Sequence, residues 1–292
     1  MMRRFCRYLG FASLIVPGHA LAECRPSFVD GPREVRLAAG DSMDQRQLTE
    51  PFRIMVRNDG DSECRLRLRV TRDLGASDAS FPNYMLNGPG GNISVTSASP
   101  ADVSSGGGVV ILQPHGRTSV GYTVNVPVNW GMRSGDYRQQ LVFALSEDSS
   151  NAPLDEVQLR LKLEIPATAR IRFAGVGGEG GAARIDLGEL STTMRTVSQP
   201  FAVRVLSTSG YQLRFTSQYG GMLRRIDGPD VIPYRLFVDG RAFNMATGDQ
   251  INVGEHTGSL GDVHGISITV DPDPTWHAGK YTDRVTVAVT PI

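Results

Sequence analysis

The sequence predicts an all-β protein of two tandem β-sandwich domains, the second of which lacks its last strand. Three observations carry this expectation. The chain is a series of short runs with alternating apolar and polar residues, punctuated by turn residues, with 33 Gly and 17 Pro in 292 residues, a composition of strands and turns rather than helices. The order of runs in the first half recurs in the second. One run, Glu156 to Ile165 (EVQLRLKLEI), closes the first half and has no counterpart after the second.

That run places Val157, Leu159, Leu161, Leu163 and Ile165 on one face and Gln158, Arg160, Lys162 and Glu164 on the other. Strict alternation is the pattern of a strand with one face in a core and one in water, and Pro166 ends it because proline cannot donate to a ladder.

A length of 292 residues fits two domains. With 30 basic and 30 acidic residues, the chain has no electrostatic footprint for nucleic acid. Residues 1–22 combine Arg3, Arg4 and Arg7, a short apolar run from Leu9 to Val16, and the small-residue site Ala20-Leu21-Ala22. This is the plan of a secretory signal peptide, with a run too short for a membrane anchor. Its removal leaves Cys24 and Cys64. An even pair in an exported protein suggests one disulfide rather than two reduced or metal-bound thiols. It would close a loop of about 40 residues, worth ~3–4 kcal/mol.

In chain order, strands are expected at Arg33 to Asp41, Pro51 to Asn58 and, after the Asp59-Gly60 turn, Glu63 to Arg72. Shorter ones follow at Phe81 to Leu86, Asn92 to Val95 and Gly108 to Leu112, then longer ones at Thr118 to Val126 and Asp136 to Leu145. The first domain thus runs over 23–166 and the second over 167–292. Leu48 to Arg72 aligns with Val197 to Ser217, Phe81 to Leu86 with Ile232 to Phe237, and Asn129 to Leu145 with Thr275 to Val289. These alignments pair Tyr84 with Tyr234, Trp130 with Trp276 and Tyr137 with Tyr281. After Val289 only Thr290, Pro291 and Ile292 follow, so the second domain is expected to be one strand short, with an apolar groove and unpaired ladder edges. The glycine-rich Ala174 to Arg184 loosely matches a dinucleotide fingerprint, but no helical pattern follows, so a connector or loop is expected.

Gly210 to Arg225 (GYQLRFTSQYGGMLRR), Ile232 to Gly240 (IPYRLFVDG) and above all Ala278 to Val289 (AGKYTDRVTVAV) resemble the spore coat protein U domain, which includes subunits of archaic chaperone–usher pili. The resemblance covers roughly Ala167 to Ile292 and extends faintly to the first domain, where Cys24 and Cys64 stand at the places of the family's cysteine pair; the second domain lacks that pair. It implies an incomplete immunoglobulin-like fold whose missing strand comes from a periplasmic chaperone and later from an adjacent pilin subunit, by strand addition, with export through an outer-membrane usher. A chain beginning near Glu23 would accept a strand but have none to donate. The resemblance therefore implies a tip adhesin, exported through the periplasm to the cell surface. The alternative is a structural surface or spore-coat-like protein without a specific ligand.

The acceptor groove is expected to be lined by Phe201, Val203 and Val205 of one strand and by Tyr281, Val285, Val287 and Val289 of the last. Val128, Trp130 and Met132 stand in an expected turn and form a candidate adhesive loop for a host or abiotic surface, although the pairing of Trp130 with Trp276 favours a shared structural role. The polar stretches Gly75 to Asn83 and Ser97 to Gly108 are the other candidate loops. Catalysis, a cofactor and a metal are not expected. His115, His256, His264 and His277 form no H-x-x-H or H-E-x-x-H motif, and no G-x-S-x-G elbow is present. His115 and His264 stand ahead of strands at matching places, which suggests a turn role.

Overall fold

The structure is a computed structural model that describes residues 23–292 apart from 30, 41, 42, 44, 45, 74, 79, 96–107, 149, 151 and 177–181. The expected signal peptide, most of the Ser97 to Gly108 loop and part of the glycine-rich connector lie outside the described residues. Among the described residues all regular structure is β.

The first half contains β1 (Pro26–Val29), β2 (Glu34–Ala38), β3 (Gln47–Asn58), β4 (Cys64–Asp73), β5 (Tyr84–Gly88), β6 (Gly91–Val95), β7 (Val109–Leu112), β8 (Arg117–Pro127), β9 (Gly135–Glu147) and β10 (Pro153–Ile165). They form two five-stranded sheets, ordered β1-β3-β8-β5-β6 and β2-β10-β9-β4-β7. Alternation along each long strand sends one set of side chains into a shared core. At its centre Phe52 stacks on Tyr122 with centroids 5.5 Å apart, and Phe143 meets both edge-on at 6.1 and 5.2 Å. Pro51 lies inside β3 rather than starting it. It is tolerated because β1 pairs only with Met55 to Asn58, so no neighbour on that side needs its missing N–H.

The closing strand β10 is longer than its alternating run. It lies antiparallel to β9, with Leu159 opposite Leu141 and Val157 opposite Phe143, and parallel to β2, with Leu161 opposite Val35 and Leu163 opposite Leu37. Leu159, Leu161, Leu163 and Ile165 are buried, and Val157 packs half-buried against the same core.

Cys24 and Cys64 form a disulfide with Cα atoms 5.3 Å apart. Buried Asn58 organises the turn beside it. Its Oδ1 accepts from the N–H groups of Arg25 and Gly60, and its Nδ2 donates to the carbonyls of Ser62 and Gln113. Gly60 is required there, since a Cβ would sit 1.9 Å from the Glu23 carbonyl oxygen.

The second half contains β11 (Ala169–Ala174), β12 (Thr196–Val197), β13 (Phe201–Ser207), β14 (Tyr211–Ser217), β15 (Met222–Arg225), β16 (Val231–Pro233), β17 (Arg235–Val238), β18 (Arg241–Phe243), β19 (Gln250–Val253), β20 (Asp262–Val270), β21 (Tyr281–Thr282) and β22 (Val285–Pro291). One sheet is ordered β11-β13-β20-β17-β18, with β12 also on β20, and two smaller sheets are β19-β14-β22 and β16-β15-β21. A second core lies among them. The run Ile232 to Phe237, expected as one strand, divides at Tyr234. Its start pairs with β15 and its end with β20, so the chain changes sheets there.

The halves touch where Leu206 enters the first core and the Ser134 N–H donates to the Thr208 carbonyl at 2.6 Å. Replacing both Cys24 and Cys64 with serine is expected to lower unfolding free energy by ~3–4 kcal/mol, measured by denaturant unfolding of the oxidised and variant chains.

Candidate functional site

The two halves follow one plan. The sheet β1-β3-β8-β5-β6 corresponds strand for strand to β11-β13-β20-β17-β18. In the facing sheets, β7-β4-β9 corresponds to β19-β14-β22. Leu68 and Val70 of β4 pair with Leu145 and Phe143 of β9, as Leu213 and Phe215 of β14 pair with Val289 and Val287 of β22. Each half also carries a tyrosine whose hydroxyl donates to the carbonyl four residues upstream, Tyr137 to Arg133 at 2.6 Å and Tyr281 to His277 at 2.8 Å. A tyrosine bonded back to its own corner marks immunoglobulin-like sandwiches.

The correspondence stops at β10. In the first half β9 continues to β10 and β10 to β2. In the second half, β22 is the last strand of its sheet, and no described strand pairs with its outer edge. Residues 182–188 stand between β11 and β13 as β2 stands between β1 and β3. Ala183, Ile185 and Leu187 alternate half-buried with exposed neighbours, and Ile185 and Leu187 pack on the second core. Yet no ladder joins this segment to any described strand. It is β2 without the partner that makes β2 a strand.

Burial records the vacancy. Leu141, Phe143 and Leu145 of β9 are at most 1% exposed, whereas Val285, Val287 and Val289 are only half-buried. In the first half β10 covers these positions. The candidate site is the outer edge of β22 with its half-buried Val285, Val287 and Val289, beside a core on which Ile185 and Leu187 also pack. No described strand pairs with this edge, and an unpaired sheet edge is a template for one extended strand.

Asp283, one residue before Arg284 and two before β22, fixes the wall. Its Oδ2 accepts from the Ser217 hydroxyl at 2.5 Å and the Tyr234 hydroxyl at 2.6 Å, and its Oδ1 from the N–H groups of Arg284 at 2.7 Å and Tyr219 at 3.3 Å. Burial, with the bond to Asp283, raises the Tyr234 phenol above its ordinary pKa, so it stays a donor. The preceding loop is held by Asp230, which accepts from Arg225 Nη1 at 2.8 Å and contacts His277 Nδ1 at 3.0 Å. The Arg225 bond, followed by that of His277, holds the Asp230 carboxyl below its ordinary pKa. A depressed carboxyl contributes stability above its unfolded pKa and loses it as pH falls through the folded value. Gly279 fits because a Cβ there would lie 2.6 Å from Arg225 Nε.

Several sequence expectations are corrected by this geometry. Phe201, Val203 and Val205 belong to β13, which lies in the facing sheet between β11 and β20 and does not flank the slot. Val203 and Val205 are fully buried and Phe201 half-buried; of the expected residues Val285, Val287 and Val289 lie on β22, and Tyr281 lies in β21, paired with Arg225 of β15. Ile185 and Leu187, which also pack on the second core, are missing from the sequence expectation. Their alternating run is short and follows directly on the glycine-rich connector. Val128 and Trp130 are buried in the first core, with Met132 packed against it. That turn is therefore core and not an apolar contact tip. His115 does sit in a turn, at φ 57°, but His264 lies inside β20, opposite Val203. It is buried, with Nε2 2.8 Å from the Tyr211 hydroxyl and Nδ1 2.7 Å from Asp239. Among the described residues no group of three or more His, Cys, Asp or Glu is placed to hold a metal.

No family model matches the chain, and no curated protein matches it. Among solved structures it is similar to the CsuC–CsuE chaperone–tip adhesion subunit pre-assembly complex of archaic Csu pili from Acinetobacter baumannii. The identity is 12% over 92% of this chain and 99% of that one, with a TM-score of 0.42. It is also similar to the CupB6 tip adhesin of Pseudomonas aeruginosa, at 9% identity over 90% and 94% with a TM-score of 0.40. A third is the chaperone–tip adhesin complex of CFA/I fimbriae, at 10% over 95% and 87% with a TM-score of 0.39. Scores of this size carry no residue correspondence, and the functional reading rests on the chain's own geometry.

Replacing Asp283 with asparagine would set an NH₂ donor among four donors. It is expected to destabilise the chain by ~1–3 kcal/mol, read as a lowered Tm. Trp130→Ala is expected to cost ~3–5 kcal/mol in denaturant unfolding, as a core residue does and a surface residue does not.

Proposed function

We propose that this chain is an exported pilus subunit of the archaic chaperone–usher type, with two domains spanning 23–166 and 167–292. In this reading it is a tip adhesin whose second domain accepts a β-strand, from a periplasmic chaperone in transit and from an adjacent pilin subunit in the fibre at the cell surface. The carrying observation is internal to the molecule. Two sandwiches share one strand order, one contains β10, and the other has half-buried valines on β22 and no described strand on the outer edge of β22, where β10 would lie. The residues resembling the spore coat protein U domain fall on the half with the vacancy.

The energetics support this reading. Five apolar side chains on an entering strand bury ~1.5–3 kcal/mol each, about 10 kcal/mol together as an upper figure. That rivals the stability of a whole domain. A chain with the slot empty is therefore marginal and prone to edge-to-edge association, which is the hazard a chaperone removes.

A second reading, a structural surface subunit without a ligand, is favoured by the burial of Val128 and Trp130, which removes the one apolar loop assigned to contact. Retention of the full chain on cells, glycans or plastic separates the two. Binding to none of them selects the structural reading.

The acceptor role is tested with a free peptide of the sequence Pro153–Ile165. Added to the full chain, it is expected to raise Tm by several degrees, about 2 °C for each kcal/mol gained, and to suppress aggregation. The same peptide with Leu159, Leu161 and Leu163 replaced by serine is expected to do neither. An unchanged Tm and solubility with the native peptide would remove the acceptor assignment.

A further inference from the structure

Buried Tyr211 of β14 reaches through the second core to the facing sheet, where its hydroxyl meets β20. The hydroxyl lies 3.0 Å from Asp262 Oδ2 and 2.8 Å from Nε2 of buried His264, and His264 Nδ1 lies 2.7 Å from Asp239 Oδ2. Asp239 occupies the turn between β17 and β18 at φ 51°. Its other carboxylate oxygen accepts from the Gly265 N–H at 2.7 Å, which holds it against the histidine. The elements packed around this relay add no further charge to it. On β13 the residue opposite His264 is Val203, and its neighbour Arg204 is exposed and donates to the Leu260 carbonyl. On β19 and β22 the residues opposite Tyr211 are Val253 and Pro291.

The relay can be read by counting protons. Its three contacts need three. An ionised carboxylate brings none, a phenol brings one and a neutral imidazole brings one. Burial, followed by the bond to Asp262, raises the Tyr211 phenol above its ordinary pKa, so its proton stays in place. Neutral His264 supplies the second. With two protons for three contacts, one acceptor would face another acceptor beside buried groups, a costly arrangement where water cannot step in.

We propose that His264 is a proton-binding site: folding of the second half takes up one proton, so that Nδ1 donates to Asp239 and Nε2 to Tyr211 while Tyr211 donates to Asp262. An imidazole is the most basic acceptor in the relay, which puts the third proton on the ring rather than on Asp262. The resulting cation has one carboxylate beside it and a second one phenol away. Asp239 is exposed, so the proton exchanges with solvent through that end. The sign follows from linkage. A proton held by the folded chain and released by the unfolded one stabilises fully below the ordinary histidine pKa of about 6.5. Its contribution shrinks above that value and is lost once the folded chain releases the proton too. Release slackens the tie between β14 and β20. The end of β22 rests on the same place, since Tyr211 pairs with Pro291 and the Gly210 carbonyl accepts from the Ile292 N–H. The site thus links the seating of the candidate acceptor strand to pH, whatever that strand accepts.

The test compares the full chain with its Asp262→Asn variant. In the variant the asparagine NH₂ donates to the phenol, the phenol to Nε2 and Nδ1 to Asp239, so all three contacts are met without a proton from solvent. Unfolding equilibrium constants are measured in denaturant from about pH 5.5 to about pH 9. The native constant divided by that of the variant is expected to be flat at the acid end and then to rise by up to about tenfold per pH unit. A ratio that does not change with pH would overturn the proposal. Nitrogen NMR of the native chain at neutral pH gives a reading that does not depend on the variant. Protons on both His264 ring nitrogens are expected, and a proton on only one of them would overturn the proposal.

Discussion

A sheet that ends beside an exposed core needs a strand to cover the core and to satisfy its edge, and the rest of this molecule is arranged around that need. In the first half β10 meets both demands. Its four buried side chains from Leu159 to Ile165 roof the core over Leu141, Phe143 and Leu145, and its backbone is laddered on both sides, to β9 and to β2. Neither contribution is available separately. Apolar cover without ladder partners leaves buried N–H and C=O groups unpaired, and ladder partners without apolar side chains leave the core wet. A single alternating strand answers both at once, and for this reason its presence or absence changes the character of a whole sandwich.

The second half shows what remains when that strand is missing. Residues 182–188 keep the alternation of β2 and the packing of Ile185 and Leu187, but they form no ladder. The wall formed by β22 holds its position through polar contacts instead. Asp283 gathers two hydroxyls and two backbone N–H groups, Tyr281 bonds back to His277, and Asp230 ties Arg225 to the same loop. These bonds sit at the start of β22 and in the loop before it.

Much of this was legible in the sequence because β-structure writes itself at period two. The alternation of Val157 to Ile165 and of Val285 to Val289, the Asp59-Gly60 turn and the repeated order of runs all report local geometry, and local geometry depends on neighbouring residues alone. Less was legible wherever the question was which strand lies beside which. Phe201, Val203 and Val205 alternate as a groove wall would, yet β13 lies in the facing sheet. Val128 and Trp130 read as an exposed tip, yet the turn folds back onto the core. His264 reads as a turn residue, yet it is a buried member of β20 bonded to Tyr211. Each of these errors concerns a partner distant in the chain.

By itself the sequence determined most strands of the first half and the face of β10 turned to the core, the cysteine pair and the inequality of the two halves, since all follow from residue type and spacing. Only the tertiary structure decided that β10 runs parallel to β2 while antiparallel to β9, that β13 lies in the sheet facing β22, and that Ile185 and Leu187 pack on the second core. The physical reason is that a strand's alternation is blind to its neighbours. Two faces and two edges are offered by every strand, and which edge meets which is settled by the packing of the whole sandwich.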